Sequence, residues 1–427
     1  MDIKNILKLK LYNRLIIDQI ENWINDKEAI LLLGARQTGK TSILYKIIQN
    51  LVNSEKVNTE DIYFFDAENI NHLLILSRGI DEICKIVKPD ENKKKYIFLD
   101  EIQYVKNIDK TLKLLVDHYG NYFKIFATGS SSLEIKNKFK QSMTGRKIIF
   151  EVYPLSFYEY LTFLEEKQLA DIIKNRNFSD DRSDIAYENM RQLKAKYLDY
   201  LLYGGYPRIV LESDENKKKI LLDEIYSTYI KKDVEAFFKI EDIEKFNNFV
   251  KYAAINSGQI FNANSASKSL GMARKTIIRY LNILNMSYII GVIRPFYKNK
   301  NKEILKMPKI YFYDNGIRNS ILNNFNNIDS RVDSGVVLET SAYLNLLKYF
   351  NKRENIKFWR TKTGSEIDFI IDGEKFYAIE CKKSLANFSI NKYKDFLENY
   401  MPQKFFVFNL DKEENSKSLI YKLQFVI

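Results

Sequence analysis

The chain has 427 residues, 45% of them apolar and 29% charged, with a formal net charge of +12. That length exceeds one ordinary core, so about three domains are expected, and 14% aromatic residues are ample for folded ones. Two cysteines, Cys84 and Cys381, exclude a disulfide framework and a cysteine zinc site, and two histidines exclude histidine-centred catalysis. Charges throughout residues 2–10 exclude a signal peptide, and no apolar run reaches membrane-spanning length, so a soluble, cytoplasmic protein is expected.

Residues 14–25 read as a helix with Leu15, Ile16, Ile20 and Trp23 on one side. Arg14 then reads as a solvated helix charge, a base or phosphate contact being the alternative. An apolar run over 29–33 stops at Gly34, and Gly34-Ala35-Arg36-Gln37-Thr38-Gly39-Lys40-Thr41 leads into a helical pattern opening at Ser42. G-x-x-x-x-G-K-T between a strand and a helix is the context a phosphate-binding loop requires. The glycines let backbone N–H groups turn inward on a polyphosphate, and the helix N-terminus favours negative charge there. Residues 34–42 are therefore expected to bind ATP, with Lys40 reaching the terminal phosphates and the Thr41 hydroxyl ligating a phosphate-bound Mg²⁺.

A helix over 42–52 leads to a strand over 62–65 ending in Asp66, and a strand over 96–99 runs into Asp100 and Glu101. Four apolar residues followed by two acids fit a buried parallel strand that delivers carboxylates at its C-terminal edge. Asp100 is expected to hold Mg²⁺ through its water shell, and Glu101 to orient or deprotonate the attacking water. The next strand, 123–127, ends in Thr128-Gly129-Ser130-Ser131-Ser132. A hydroxyl from Thr128 or Ser130 would sit close to the γ-phosphate, the alternative being a serine cap on a helix over 132–139.

Residues 161–235 read as helices broken by a polar stretch near 174–184, with a charged connector at 212–219. Then comes a helix, a turn at Gly271 and a second helix over 273–284, which carries Arg274, Lys275 and Arg279 opposite an apolar face of Ile277, Ile278, Leu281 and Leu284. Strands over 287–295 and 306–313 would form a wing around the basic tip 298–302. Residues 251–318 hold twelve Lys and Arg against two acids, the electrostatic footprint of a nucleic-acid partner. A winged helix that places Arg274, Lys275 and Arg279 on DNA is the reading, with a protein-contact module as the alternative. Toward the C-terminus, Glu339 lies on a helix over 336–349 and Asp368 on a strand over 366–371. Period two puts Glu380 and Lys382 on one face of the strand Phe376–Lys382. Glu339, Asp368, Glu380 and Lys382 together could bind Mg²⁺ and polarise a water for phosphodiester attack, unless they only decorate a charged strand face.

The segments 34–42, 96–101, ATGSSS at 127–132 and GRKIIFEVYPLSFYEYL at 145–161 resemble the AAA-type ATPases of bacteria and archaea. More narrowly, LLYGGYPRIVLE at 201–212, PKIYFYDNGIRNSIL at 308–322, GVVLETSAYLNLL at 335–347, WRTKTGSEIDFIID and YAIECKKS resemble the group whose C-terminal region is a domain of uncharacterised function. The resemblance implies an α/β fold class: a parallel-sheet P-loop ATPase core of five strands over 1–160 and a helical lid over 161–235. A winged helix-turn-helix over 236–330 and an α/β domain over 331–427 complete the division. It implies that Arg146, just before the last core strand, enters a neighbouring subunit's site, hence a homo-oligomer, with a monomer left open. It implies that Arg208 is a lid residue sensing the nucleotide. The spacing D…E-x-K resembles the restriction-endonuclease fold, with Glu339 matching its helical acid. Two functions follow: an ATPase whose nucleotide state controls a DNA-binding, Mg²⁺-dependent nuclease half, or an ATP-dependent switch whose C-terminal domain binds nucleic acid or protein and cuts nothing.

Overall fold

The computed structural model describes residues 2–54, 57–130, 139, 142–174, 187–235, 238, 240, 242–350, 353–361, 363–386, 388–410, 420 and 423. They form two compact units, Met1–Tyr153 and Pro154–Ile427. The serines at 131 and 132, all but the last residue of the helix expected over 132–139 and most of the polar stretch near 174–184 lie outside the described residues.

In the first unit β1 (Ala29–Gly34), β2 (Ile62–Asp66), β3 (Lys95–Asp100), β4 (Phe123–Ser130) and β5 (Lys147–Val152) form one sheet in the order β2-β3-β4-β1-β5. Every pairing is parallel. All of β1 and β4 is buried, as apolar runs are when helices cover both faces of a sheet. Period two sorts their side chains. Leu31, Leu33, Ile97, Leu99 and Ile125 pack in one core with helices Ile80–Val87 and Ile108–Tyr119. Ile30, Leu32, Phe98 and Phe126 pack in the other with helices Leu15–Glu21 and Lys40–Asn53. There the register neighbours Phe98 and Phe126 stack with ring centroids 4.7 Å apart. The strand order sets the carboxyl ends of β1, β3 and β4 side by side, the crevice where an open parallel sheet binds its ligand.

A lysine stands among these apolar residues. Lys124 on β4 is fully buried, and its amine donates to the carbonyls of Trp23, Asp26 and Glu28. Burial first, then the nearby Lys94, pulls that amine down to about 8. It fastens the segment that feeds β1, and with it the approach to the loop at residue 34.

In the second unit helices Tyr187–Tyr203 and Glu215–Tyr229 lead to the pair Ala263–Leu270 and Arg274–Met286, turned at Gly271, whose φ of +62° suits glycine. Six strands follow: β6 (Ile290–Pro295), β7 (Lys309–Phe312), β8 (Ile356–Arg360), β9 (Glu366–Asp372), β10 (Phe376–Lys382) and β11 (Lys404–Asn409). Their sheet runs β11-β10-β9-β8-β6-β7. The hairpin of β6 and β7, expected as a wing, forms one edge of this sheet. Its β6 strand pairs in parallel with β8 through Arg294 and Lys357. The expected basic tip is also tied down: helix Lys300–Leu305 occupies it, and Lys300 bonds to Glu303 and to Asp372 at 2.7 Å. The buried Lys357 bonds to the same two acids. Ladder bonds and four opposite charges give the hairpin a fixed seat.

The glycine pair at 204–205 is a close-approach site. Asp314 caps helix Asn315–Ile321 through the Ile317 N–H and also accepts the Gly205 N–H at 2.7 Å. A Cβ on Gly204, at φ +78°, would stand 2.2 Å from Asp314 Oδ1. No helix among the described residues is long and apolar enough to cross a membrane.

Candidate functional site

The loop at 34–41 leaves β1 and enters helix Lys40–Asn53. Gly34 lies so close to β5 that a Cβ there would stand 2.2 Å from the Val152 carbonyl oxygen. Gln37 and Gly39 adopt φ of 59° and 87°, the left-handed turns that curl the loop. Ala35, Thr38 and Lys40 are buried, Arg36, Gln37 and Thr41 half-buried, and Ser42 exposed. The Lys40 ammonium lies inside the loop and donates to the carbonyls of Gly34 and Ala35, at 3.2 and 2.8 Å. Thr38 Oγ1 donates to the Ala35 carbonyl as well. Arg14 is not solvated. It is buried, and its guanidinium donates to the carbonyls of Thr38 at 3.0 Å and Tyr153 at 2.9 Å, bracing the loop from behind.

Two strand ends meet this loop. Thr41 Oγ1 donates to Asp100 Oδ2 at 2.7 Å, and Thr128 Oγ1 donates to Asp100 Oδ1. Thr128 also accepts the Glu101 N–H at 3.1 Å. Burial raises the Asp100 carboxyl above its ordinary value, opposed by the hydroxyls of Thr128 and Thr41. Glu101 turns off the end of β3 at φ 53°, and its carboxylate accepts a hydrogen bond from the Gln103 amide. Ser130, which pairs in register with Gly34, is buried, and among the described residues its hydroxyl has no partner. The two hydroxyl candidates thus separate: Thr128 is bonded to Asp100 and to the Glu101 backbone, and Ser130 keeps a free hydroxyl beside the loop.

Arg146 stands at the other end of the sheet. Its carbonyl accepts from Ala29, the first residue of β1. Five residues of strand separate that point from Gly34, about 17 Å. Its guanidinium pairs with Asp117 and donates to the Thr144 carbonyl. Arg208, in the second unit, pairs with Glu224 at 3.3 Å, both more than half exposed.

Arg274, Lys275 and Arg279 are exposed on their helix, which buries Ile277, Tyr280, Ile283 and Leu284; Arg279 donates to the Phe238 carbonyl. The C-terminal acids do converge. The Cys381 N–H donates to Asp368 Oδ2 at 2.8 Å and the Asp368 N–H to Glu380 Oε2 at 3.3 Å. Lys382 pairs with Glu380, which also accepts from Tyr393 Oη at 2.8 Å. Glu339 accepts from Tyr311 Oη at 2.8 Å. Burial lifts the Asp368 carboxyl well above its ordinary value, and the charges of Glu339 and Glu380 add to it; burial likewise raises Glu339. Lys309 on β7, absent from the sequence reading, completes the group. It is buried, pairs with Glu366 and stands 3.9 Å from Glu339. Among the described residues no three His, Cys, Asp or Glu side chains are arranged to hold a metal ion.

A family model described as an AAA domain matches residues 26–161, and two described as domains of unknown function, DUF8612 and DUF4143, match 194–327 and 334–423. The uncharacterized protein MJ1544 of Methanocaldococcus jannaschii is 30% identical over 375 residues, 86% of this chain and 76% of that one. MJ1637 of the same organism is 28% identical over 390 residues, 86% of this chain and 80% of its own length. The Thermotoga maritima RuvB Holliday junction branch migration motor aligns with 67% of this chain and 93% of its own, at 14% identity and a TM-score of 0.31.

Proposed function

This chain belongs to the family of MJ1544 and carries an AAA domain at residues 26–161, and from that premise we propose that it binds ATP with Mg²⁺ and hydrolyses it. The observation that carries the reading is the hydrogen-bonded chain from Thr41 through Asp100 to Thr128, which joins the loop to two strand ends. A hydroxyl and a carboxylate 2.7 Å apart are the hard oxygen donors a hydrated Mg²⁺ prefers. The buried Lys40 ammonium and the helix N-terminus are the groups a polyphosphate requires. Mg²⁺ held there would neutralise charge on the phosphates. Glu101 takes the proton of the attacking water, and the Ser130 hydroxyl hydrogen-bonds to the transferred phosphate. The test is calorimetry of the full chain with ATP and Mg²⁺: the parent takes up nucleotide, and Lys40→Ala loses at least tenfold in affinity, about 1.4 kcal/mol. No uptake by folded parent protein sinks the reading.

Arg146 is too far along the sheet to serve its own loop, so its role in hydrolysis, if its pair with Asp117 opens, is on the loop of a second copy. In the second unit the proposal is a DNA-binding winged helix, supported by the exposed Arg274 and Lys275 at the start of their helix and by the basic window around them. The nucleotide state of the first unit controls this half. For the C-terminal acids two readings compete. The bonds of the Asp368 N–H and of Lys382 to Glu380 support a restriction-endonuclease-like, Mg²⁺-dependent centre. Lys309, which already pairs with Glu366 and stands 3.9 Å from Glu339, favours a domain that binds and does not cut. Supercoiled plasmid with Mg²⁺ separates them. Nicking lost in both Asp368→Ala and Lys382→Ala supports the nuclease. Plasmid bound and left intact, with affinity lost in Arg274→Ala and Lys275→Ala, supports the switch.

A further inference from the structure

The residue after next to Glu101 is the less obvious part of the first site. Glu101 leaves β3 in a left-handed conformation, and residues Ile102–Tyr104 form a single tight turn closed by hydrogen bonds from Tyr104 N–H to Glu101 O and from Val105 N–H to Ile102 O. Ile102 and Val105 are buried in the sheet's core, so the turn is anchored on both sides of Gln103. The Gln103 side chain lies back along the end of β4. Its amide nitrogen donates to Glu101 Oε2, and its amide oxygen accepts the Ser130 N–H at 3.0 Å. Gly129 lies against it: a Cβ there would stand in ordinary van der Waals contact with Gln103 Oε1, at 3.5 Å. One carboxamide therefore spans two things: the carboxylate that meets the attacking water and the strand end that carries the free Ser130 hydroxyl.

We propose that Gln103 is the positioning residue for Glu101, its carboxamide setting where the catalytic carboxylate points and tying that direction to the end of β4. The inference rests on the hydrolase reading above. A half-buried carboxylate on a turn still has several rotamers, and a donor fixed at both ends selects one. The amide is required in this orientation, because the Ser130 N–H can only donate and the Glu101 carboxylate can only accept. A carboxylate at 103 could satisfy Ser130 and would repel Glu101.

Steady-state ATP turnover on the full chain tests this with two variants, folding being checked by the melting temperature. Gln103→Ala is expected to lower kcat on the order of tenfold or more, as for other misplaced catalytic groups, with KM for ATP close to the parent's. Gln103→Glu, nearly the same in shape, lowers kcat at least as far at pH 8. Its rate relative to the parent then climbs as the pH falls, because the protonated acid regains an O–H to donate to Glu101. A residue that only packs would not give that pH signature. If Gln103→Ala does not fold, Gln103→Glu decides alone. Parental kcat and pH profile in the folded variants overturn the inference, as does a loss confined to KM. A parent that binds ATP and never turns it over is a different result; it overturns the hydrolase reading, and this inference with it.

Discussion

Glu101→Gln is expected to cut ATP turnover by about 10²–10³-fold while leaving ATP affinity within a few-fold of the parent. The two effects separate because the residues that hold nucleotide and those that move the proton are different. Lys40 is bonded to the loop carbonyls of Gly34 and Ala35, and Thr41 to Asp100, by bonds that do not involve the Glu101 side chain. The Glu101 main chain is held independently by Thr128. An amide at 101 keeps the shape of the turn and cannot accept a proton from water. Turnover assays paired with calorimetry read the two quantities separately. A Glu101→Gln protein that hydrolyses ATP within threefold of the parent would remove Glu101 from the proton transfer. One that loses ATP binding would make it a binding residue.

The first unit was largely readable from the chain because its determinants are short in range. The loop at 34–41 is contiguous, the apolar runs before Gly34 and Asp100 announce parallel strands, and the sheet brings their ends together as expected. Arg14 was misread because a charge next to an apolar helix looks solvated. Its burial depends on two carbonyls, Thr38 and Tyr153, that are 24 and 139 residues away in sequence. Gln103 left a faint trace, a polar residue between Ile102 and Val105 in a turn that follows two acids. In the second unit Asp368, Glu380 and Lys382 were legible from strand periodicity and a hairpin, both local. Lys309 was not. It reaches the acids only because β6 pairs in parallel with β8, a register no local pattern encodes. Its signal was a single lysine heading the apolar strand Lys309–Phe312.

That lysine carries the largest stability effect expected in the chain. Burial opposes the charge on Lys309, and the carboxylates of Glu339, Glu366 and Asp368 outweigh it, holding the amine above its ordinary value. A raised amine contributes its full stability below the value it has in the unfolded chain and loses it only as the pH climbs through the folded one, so the contribution is complete at pH 7. Lys309→Met removes the cation and leaves the acids facing one another inside the protein. Breaking a buried pair from one side costs roughly 3–5 kcal/mol, which a melting-temperature or denaturant scan of the full chain detects. The deficit should shrink on acidification. Glu339 and Asp368 have carboxyls already raised by burial, so the folded state takes up protons more readily than the unfolded chain, and protonation discharges the acids Lys309 no longer faces. A deficit that stays constant from pH 7 down into the range where those two carboxyls protonate would assign the loss to packing of the lysine stem alone. A variant as stable as the parent at pH 7 would mean that this group of charges is not held together by Lys309.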